Sequence, residues 1–307
     1  MRIAVITNKF DKQRNITNGV RVHNAFIRAG YNSKLLMHDN VSKGTIGNMD
    51  LILLTGTALY TENIYQFEII KGLKNESAKL AFWFFDLCNP NNDYGGSIAK
   101  HNKIKSIVKH LDFLFTTDHS YPWENEVEYR HIMQGVDEHE FMQEYKYNTP
   151  KEFDIIYAGG TTGCFEYRGH QLSLLSTKYK MDIYGQSVGR RIYGNGLIEA
   201  FNNSKIAYVP GPPPGITGDY WSNRIYIATA TGIPCLVGHS DGIEKHFSNK
   251  EIVTFKGESD MMDKAKYLLE HDKERNAIGK AGKSRTIRCH KYQDRVIDIV
   301  GIVGGIK

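Results

Sequence analysis

The stretch Lys205–His239, KIAYVPGPPPGITGDYWSNRIYIATATGIPCLVGH, carries residue types at a spacing suited to holding an anion. Lys205–Val209 is a short apolar run of strand type, and Pro210–Gly218 is a loop of Pro and Gly that no helix or strand interior tolerates. Asp219–Thr231 opens with Asp and Ser, both N-cap formers, and continues in helical period. Gly232–Pro234 stops it, and Cys235–Val237 is a second apolar strand. Strand, Gly-rich loop, helix, strand is a βαβ unit, whose helix N-terminus presents four free backbone N–H groups to the loop. Arg224 lies in the first or second turn of that helix, and a guanidinium in that place suits a diphosphate. Ser222 and Asn223 either cap the helix or touch phosphate oxygens.

Further candidates stand just beyond other apolar runs, where open parallel sheets bind their ligands. Gly159, Gly160 and Thr161 follow Phe153–Ala158, and glycines let backbone approach a ligand closely. Gly185 and Ser187 follow Met181–Tyr184, and His239, Asp241 and Gly242 follow Cys235–Val237. Arg168 stands at a helix start, and Asn18 and Gly19 open the first helix of the chain. Asp86 ends an aromatic strand, and Asp118–His119 end the next. A carboxylate or imidazole there could take the proton of an attacking hydroxyl, or simply cap a turn. Asp86, His119 and Arg224 are therefore the catalytic candidates.

The helix SNRIYIATATGIPCL resembles the donor-sugar helix of nucleotide-sugar glycosyltransferases of the GT-B fold, closest to the spore-maturation-type branch of the large retaining group. Ser222, Arg224, Ile225, Tyr226, Ala228, Ala230 and Gly232 match that pattern. Ile227 stands where the family has a Glu that holds the ribose hydroxyls of the donor, and Asp219 takes the place of an earlier Glu. Phe153–Gly160, Ile183–Ser187 and Lys273–Gly282 with His290, Tyr292 and Arg295 also resemble family elements, so the likeness covers the second half of the chain. The first half resembles the family only in strand order.

The resemblance implies a diphosphate on Arg224, with Arg168 near the phosphates. It implies a base near Gly185 and Ser187, sugar hydroxyls near His239, and Asn18 and Gly19 facing the donor across a cleft. The implied reaction is transfer of a hexose or pentose, with retention of configuration, from a nucleotide-diphosphate sugar. UDP-sugar is the expected donor, and no metal ion is required by these residues.

These residues must be positioned by two halves. At 307 residues and 41% hydrophobic content the chain is long enough for two domains with their own cores. Strands at Arg2–Thr7, Ser33–Met37, Leu51–Thr55, Leu80–Phe85 and Phe113–Thr116 alternate with helices, as do those after Phe153. That alternation predicts α/β architecture, two Rossmann-like doubly wound parallel sheets facing a cleft. Tyr145–Lys151 is polar and contains Pro, so the expected domains are 1–148 for the acceptor and 149–307 for the donor. The first loop lacks GxGxxG, which argues against a nicotinamide cofactor.

No run reaches 18 apolar residues, and MRIAVITNKF reads as a strand rather than a signal peptide. The four scattered cysteines (Cys88, Cys164, Cys235, Cys289) read as free thiols in a cytoplasm, the host's if the gene is phage-borne. The 12 histidines show no metal-ligand spacing.

Net charge is +5; residues 1–148 hold 17 basic and 17 acidic side chains, leaving 22 and 17 for 149–307. The excess in the second half suits an anionic donor. A helix over Gly96–His110 carries Lys100, His101, Lys103, Lys105 and Lys109, with Ile98, Ile104, Ile107, Val108 and Leu111 as its apolar stripe. Its basic face is either solvated or meets a polyanion such as DNA. Two acceptors follow: a hydroxymethylated pyrimidine in phage DNA, or a small molecule, glycan or protein. A non-catalytic sugar-nucleotide-binding module and an epimerase are the readings from other classes.

Overall fold

A computed structural model describes residues 1–7, 17–56, 64–91, 96–141, 145–161, 166–213 and 219–305. Cys164 and the Pro214–Gly218 part of the Pro/Gly loop lie outside them. Two compact units emerge, Met1–Asp137 with Tyr292–Lys307, and Glu138–Lys291.

The described residues of the first unit form six strands: β1 (Arg2–Thr7), β2 (Asn32–Met37), β3 (Leu51–Thr55), β4 (Lys79–Phe84), β5 (Phe113–Thr116) and β6 (Glu128–His131). They pair in parallel in the order β2-β1-β3-β4-β5-β6. β1, β3 and β4 read as continuous apolar runs because helices cover both faces of a parallel sheet. Ile52, Leu54, Phe82, Phe84 and Trp123 fill one face. Val5, Phe26, Trp83 and Phe115 fill the other with Tyr292, Val296 and Ile299 of the last helix.

β6 was not expected from the sequence. Its EYRH alternates polar and apolar at the sheet edge and lacks the apolar run that marks the inner strands.

The second unit holds β7 (Phe153–Ala158), β8 (Met181–Tyr184), β9 (Ser204–Val209), β10 (Cys235–Gly238) and β11 (Val253–Phe255), all parallel, in the order β11-β10-β9-β7-β8. The chain runs from β7 outward to β8, then returns to β9 on the other side of β7. The crevice of an open α/β sheet opens at such a reversal, beyond the carboxyl ends of the strands. Here it lies beyond Ala158 and Val209.

Three sequence expectations are corrected. The unit boundary falls after Asp137 rather than 148, and Tyr292–Val303 returns to the core of the first unit. Tyr145–Lys151 is not a loose linker: Tyr145 is buried, its hydroxyl donates to Ser204 O at 2.6 Å, and Tyr147 Oη donates to Gly232 O at 2.8 Å.

The third correction concerns the basic helix, which spans Ser97–Val108. His101 is buried against Tyr121 and Trp123, and burial holds its imidazole below the ordinary value. Ile98 is exposed instead. Among the described residues no helix is long and apolar enough to cross a membrane.

Candidate functional site

The βαβ unit at the centre of the second sheet differs from its expected form at the helix start. The helix is Arg224–Thr231, not Asp219–Thr231, and Asn223 occupies the N-cap position without a side-chain cap bond. Ser222 does not cap it either; its Oγ accepts from Arg224 Nη1 at 3.3 Å. Asp219 takes Lys245 Nζ at 3.4 Å, so no carboxylate among the described residues pairs with Arg224. Gly232, at φ +96°, ends the helix in the left-handed region that favours glycine.

Arg224 is fixed across the crevice. Its Nε donates to Ala158 O, the last carbonyl of β7, at 3.0 Å. Glycine at position 159 is what makes room for it. A Cβ there would lie 2.6 Å from Tyr157 Oη and 2.9 Å from Arg224 Nε. Burial, and then the charge of Arg168, lower the Arg224 pKa from its ordinary value. Both effects express the same electrostatics: a half-buried cation beside another cation gains from an anion.

Arg168 is itself buried, and its Nε donates to Tyr167 Oη at 2.9 Å; that hydroxyl donates to Gly211 O at 2.7 Å. A cationic patch thus stands beyond the carboxyl ends of β7 and β9, tied to the backbone of the two strand-end loops.

A second pair of glycines shapes the neighbouring wall. Gly159 N donates to Tyr184 O at 2.8 Å, and any Cβ on Gly185 would strike Gly159 O. Thr161 Oγ1 and Ser187 Oγ share a hydrogen bond of 2.5 Å. Gly185 and Arg190 exchange backbone hydrogen bonds that close the loop between them. Arg190 lies 4.3 Å above the Tyr184 ring and pairs with buried Asp182 at 3.1 Å.

The cavity so formed has a volume of about 460 Å³ and is lined by Ala158, Gly160, Tyr184, Gly185, Arg191 and Tyr193, among others. A smaller cavity of about 50 Å³ adjoins it through Ala158 and Leu197, and Arg224 and Ile227 line that one.

The expected residues Gly160, Gly185 and Arg224 thus converge on adjoining cavities, with Arg168, Thr161, Ser187 and Ser222 beside them. Asn223 contributes only its place at the helix start. His239 stands after β10, its ring between Asp241 at 3.7 Å and Glu244 at 3.4 Å, and no contact joins it to Arg224 among the described residues. Arg191, Tyr193 and Leu197 were missed. The signal was available in GRRIYG: two arginines and an aromatic between a strand end and a helix.

In the first unit several of the expected residues are engaged by partners within that unit. Asp86 Oδ2 pairs with Lys100 Nζ at 2.5 Å, and Oδ1 accepts from Leu87 N. Lys105 pairs with Glu126 at 3.6 Å, which leaves Lys103 and Lys109 outside the described ion pairs. His119 is exposed and stacks on His131 with ring centroids 5.0 Å apart.

Asn18 does not cap its helix; Thr17 does, and Asn18 Nδ2 donates to Gln134 Oε1 at 2.9 Å. Gly19 is glycine for packing, since a Cβ would strike Thr7 Oγ1 and stand 2.7 Å from Thr55 Oγ1.

A family model described as "Glycosyl transferase-like" matches residues 161–301. No curated protein matches the sequence. Solved structures match over nearly the whole chain at low identity. T4 phage BGT in complex with its UDP-glucose substrate aligns with TM-score 0.67 and 10% identity, covering 99% of both chains. Sucrose-phosphate synthase from Thermosynechococcus elongatus aligns with TM-score 0.65 and 10% identity, covering 99% of this chain and 98% of its own. An alpha-glucosyltransferase in complex with UDP and a 13-mer DNA aligns with TM-score 0.63 and 12% identity, covering 98% and 99%. At these identities the likeness establishes architecture: two parallel-sheet α/β units in the GT-B arrangement of elements.

Proposed function

We propose that the protein is a glycosyltransferase that moves a sugar from a nucleotide-diphosphate donor, a UDP-sugar, to a hydroxyl acceptor. The observation that carries this reading is Arg224, held on Ala158 O over the bare backbone of Gly159, beside Arg168 and the 460 Å³ cavity. A diphosphate on this patch leaves the larger cavity for the base. As the bond to the sugar breaks, negative charge grows on the leaving diphosphate. Fixed guanidinium donors stabilise that charge more than they stabilise the intact donor, which is what lowers a barrier. The family match over 161–301 includes Arg168 and Arg224, and the structural relatives with UDP-glucose and with UDP support the donor class.

Asp86 and His119 are the proposed groups for activating the acceptor hydroxyl, and Asp86 would do so by releasing its ion pair with Lys100. The acceptor has two readings. A hydroxymethylated pyrimidine in DNA is favoured by the likeness to an enzyme crystallised with DNA and by exposed Lys103 and Lys109. A small-molecule acceptor is favoured by the ion pairs that offset Lys100 and Lys105. Buried Cys88 and Cys235 are free thiols, which fits a cytoplasmic setting.

Thermal unfolding with a panel of nucleoside diphosphates and their sugars tests the donor reading. A ligand bound only by the native state raises the midpoint, and at a hundredfold excess over Kd contributes about 2.7 kcal/mol. Hydrolysis or transfer of the stabilising sugar nucleotide then separates an enzyme from a binding module. A flat response across the panel removes the donor site.

A further inference from the structure

We infer that this donor site takes a 2′-deoxyribonucleotide, such as a dTDP-sugar, at least as well as the corresponding ribonucleotide. The inference rests on the donor reading above and concerns the pentose between base and diphosphate.

Arg224 and Ile227 stand three residues apart on the Arg224–Thr231 helix, so their side chains leave the same face. Both line the 50 Å³ cavity, which shares Ala158 and Leu197 with the larger one. A nucleotide with its diphosphate on Arg224 and its base in the larger cavity must lay its pentose across the mouth of this recess.

The recess wall is chemically plain. Ile156, Leu197, Phe201, Val209 and Ile227 contribute only hydrocarbon side chains. Its two polar side chains are committed elsewhere. Tyr208 Oη donates to Gln171 Oε1, and Arg224, anchored on Ala158 O and Ser222 Oγ through Nε and Nη1, is the group that meets the diphosphate rather than the pentose. Among the described residues lining it there is no carboxylate and no side-chain amide. A pair of ribose hydroxyls turned to this wall would leave water and gain no protein partner, and an unmade hydrogen bond of a buried polar group is costly. A 2′-methylene turned to the same wall loses nothing and buries apolar surface. Water entering this recess of about 50 Å³ meets a wall of hydrocarbon, and without polar partners there it bridges the hydroxyls poorly.

An apolar wall discriminates only weakly against a hydroxyl, whereas a site built to bond a hydroxyl rejects its absence strongly. The test exploits that asymmetry. Calorimetry on the full chain measures UDP, dUDP and dTDP, with an Ile227→Glu variant and an Ile227→Gln variant beside the wild type. The wild type is expected to bind dUDP as tightly as UDP or up to tenfold tighter. Ile227→Glu is expected to reverse the order, with UDP favoured tenfold or more, because its carboxylate can accept from both hydroxyls; Ile227→Gln should move the ratio the same way by less.

UDP binding tenfold tighter than dUDP in the wild type would overturn the inference while leaving the donor site standing. An unchanged UDP/dUDP ratio in both folded variants would overturn the placement of the pentose on Ile227. Failure of the wild type to bind any of the three would overturn the donor reading itself.

Discussion

The carboxyl edges of the two sheets solve the same problem in opposite ways. At the ends of β7, β8, β9 and β10 the chain removes side chains: a Cβ on Gly159, Gly185 or Gly238 would strike a neighbour, and one on Gly211 would stand only 3.1 Å from Gly238 backbone. What remains is bare backbone, the guanidiniums of Arg168, Arg191 and Arg224, and open volume. Beyond β4, β5 and β6 the chain keeps polar side chains and pairs many of them internally, although the buried hydroxyls of Thr117 and Ser120 lack a partner among the described residues. Asp118 accepts from Cys88 N at 2.7 Å and from Ser120 N at 3.0 Å. Gln134 links Asn18, the carbonyl of Phe85 and Tyr292. Asp86 answers Lys100.

The difference is instructive because both edges belong to doubly wound parallel sheets. A fold class locates a crevice, but the residues at strand ends decide whether it is left open for a ligand or closed on itself. The first edge offers unbalanced positive charge. The second offers chemistry only where an internal partner is surrendered.

The largest effect should come from the second edge. If Asp86 activates the acceptor, Asp86→Asn lowers kcat a hundredfold or more, while calorimetry of the nucleoside diphosphate shows unchanged affinity. A near-normal rate would return Asp86 to a structural partnership with Lys100 and widen the contrast between the edges.

Next comes Arg224→Ala, which should weaken nucleoside diphosphate binding by about 2 kcal/mol, roughly thirtyfold, the scale of a charged hydrogen-bonded group lost from a buried site. Calorimetry reads it directly. Unchanged affinity in a folded variant would mean the open edge is not the anion site.

Gly159→Ala sharpens the claim that emptiness is the design. The new Cβ competes with Tyr157 Oη and Arg224 Nε, and overpacking of this kind costs about 1–3 kcal/mol. Thermal unfolding should show the loss, and donor affinity should fall in step with displacement of the guanidinium. A variant as stable and as tight-binding as wild type would contradict the packing argument.

The smallest effect concerns Lys103 and Lys109. If DNA is the acceptor, reversing both to Glu should flatten the salt dependence of duplex binding by about one unit of log–log slope per lost phosphate contact. Mobility shifts of duplex DNA at two salt concentrations check this. Equal shifts by both proteins would take the helix out of the acceptor site.

Much of the fold was legible because parallel strands announce themselves as apolar runs. Among the described residues ten of the eleven strands coincide, within a residue or so at either end, with runs visible in the sequence. The exception, Glu128–His131, is a half-polar edge strand held by its pairing with β5. Helix ends were less legible. Asp219 and Ser222 have the chemistry of caps, yet the tertiary structure gives Asp219 to Lys245 and Ser222 to Arg224. The same competition moved His101 from the basic face into an aromatic cage: a helical wheel that places it beside lysines cannot see Tyr121 and Trp123 arriving from beyond β5.

By itself the sequence determined the alternation of elements, the place of Arg224 at a helix start, and the clustering of glycines at strand ends. These follow from local propensity and period, which neighbouring residues set. Only the tertiary structure decided that Gly159 is empty for the sake of Arg224, 65 positions further on, and that Gly185 is empty for the sake of Gly159. It alone brought Ile227 to an apolar recess beside the cavity, and returned Tyr292–Val303 to the core of the first unit. Close approach of backbone and side chain across a sheet depends on strand order. That order arises from burying all the apolar runs at once rather than from any one of them.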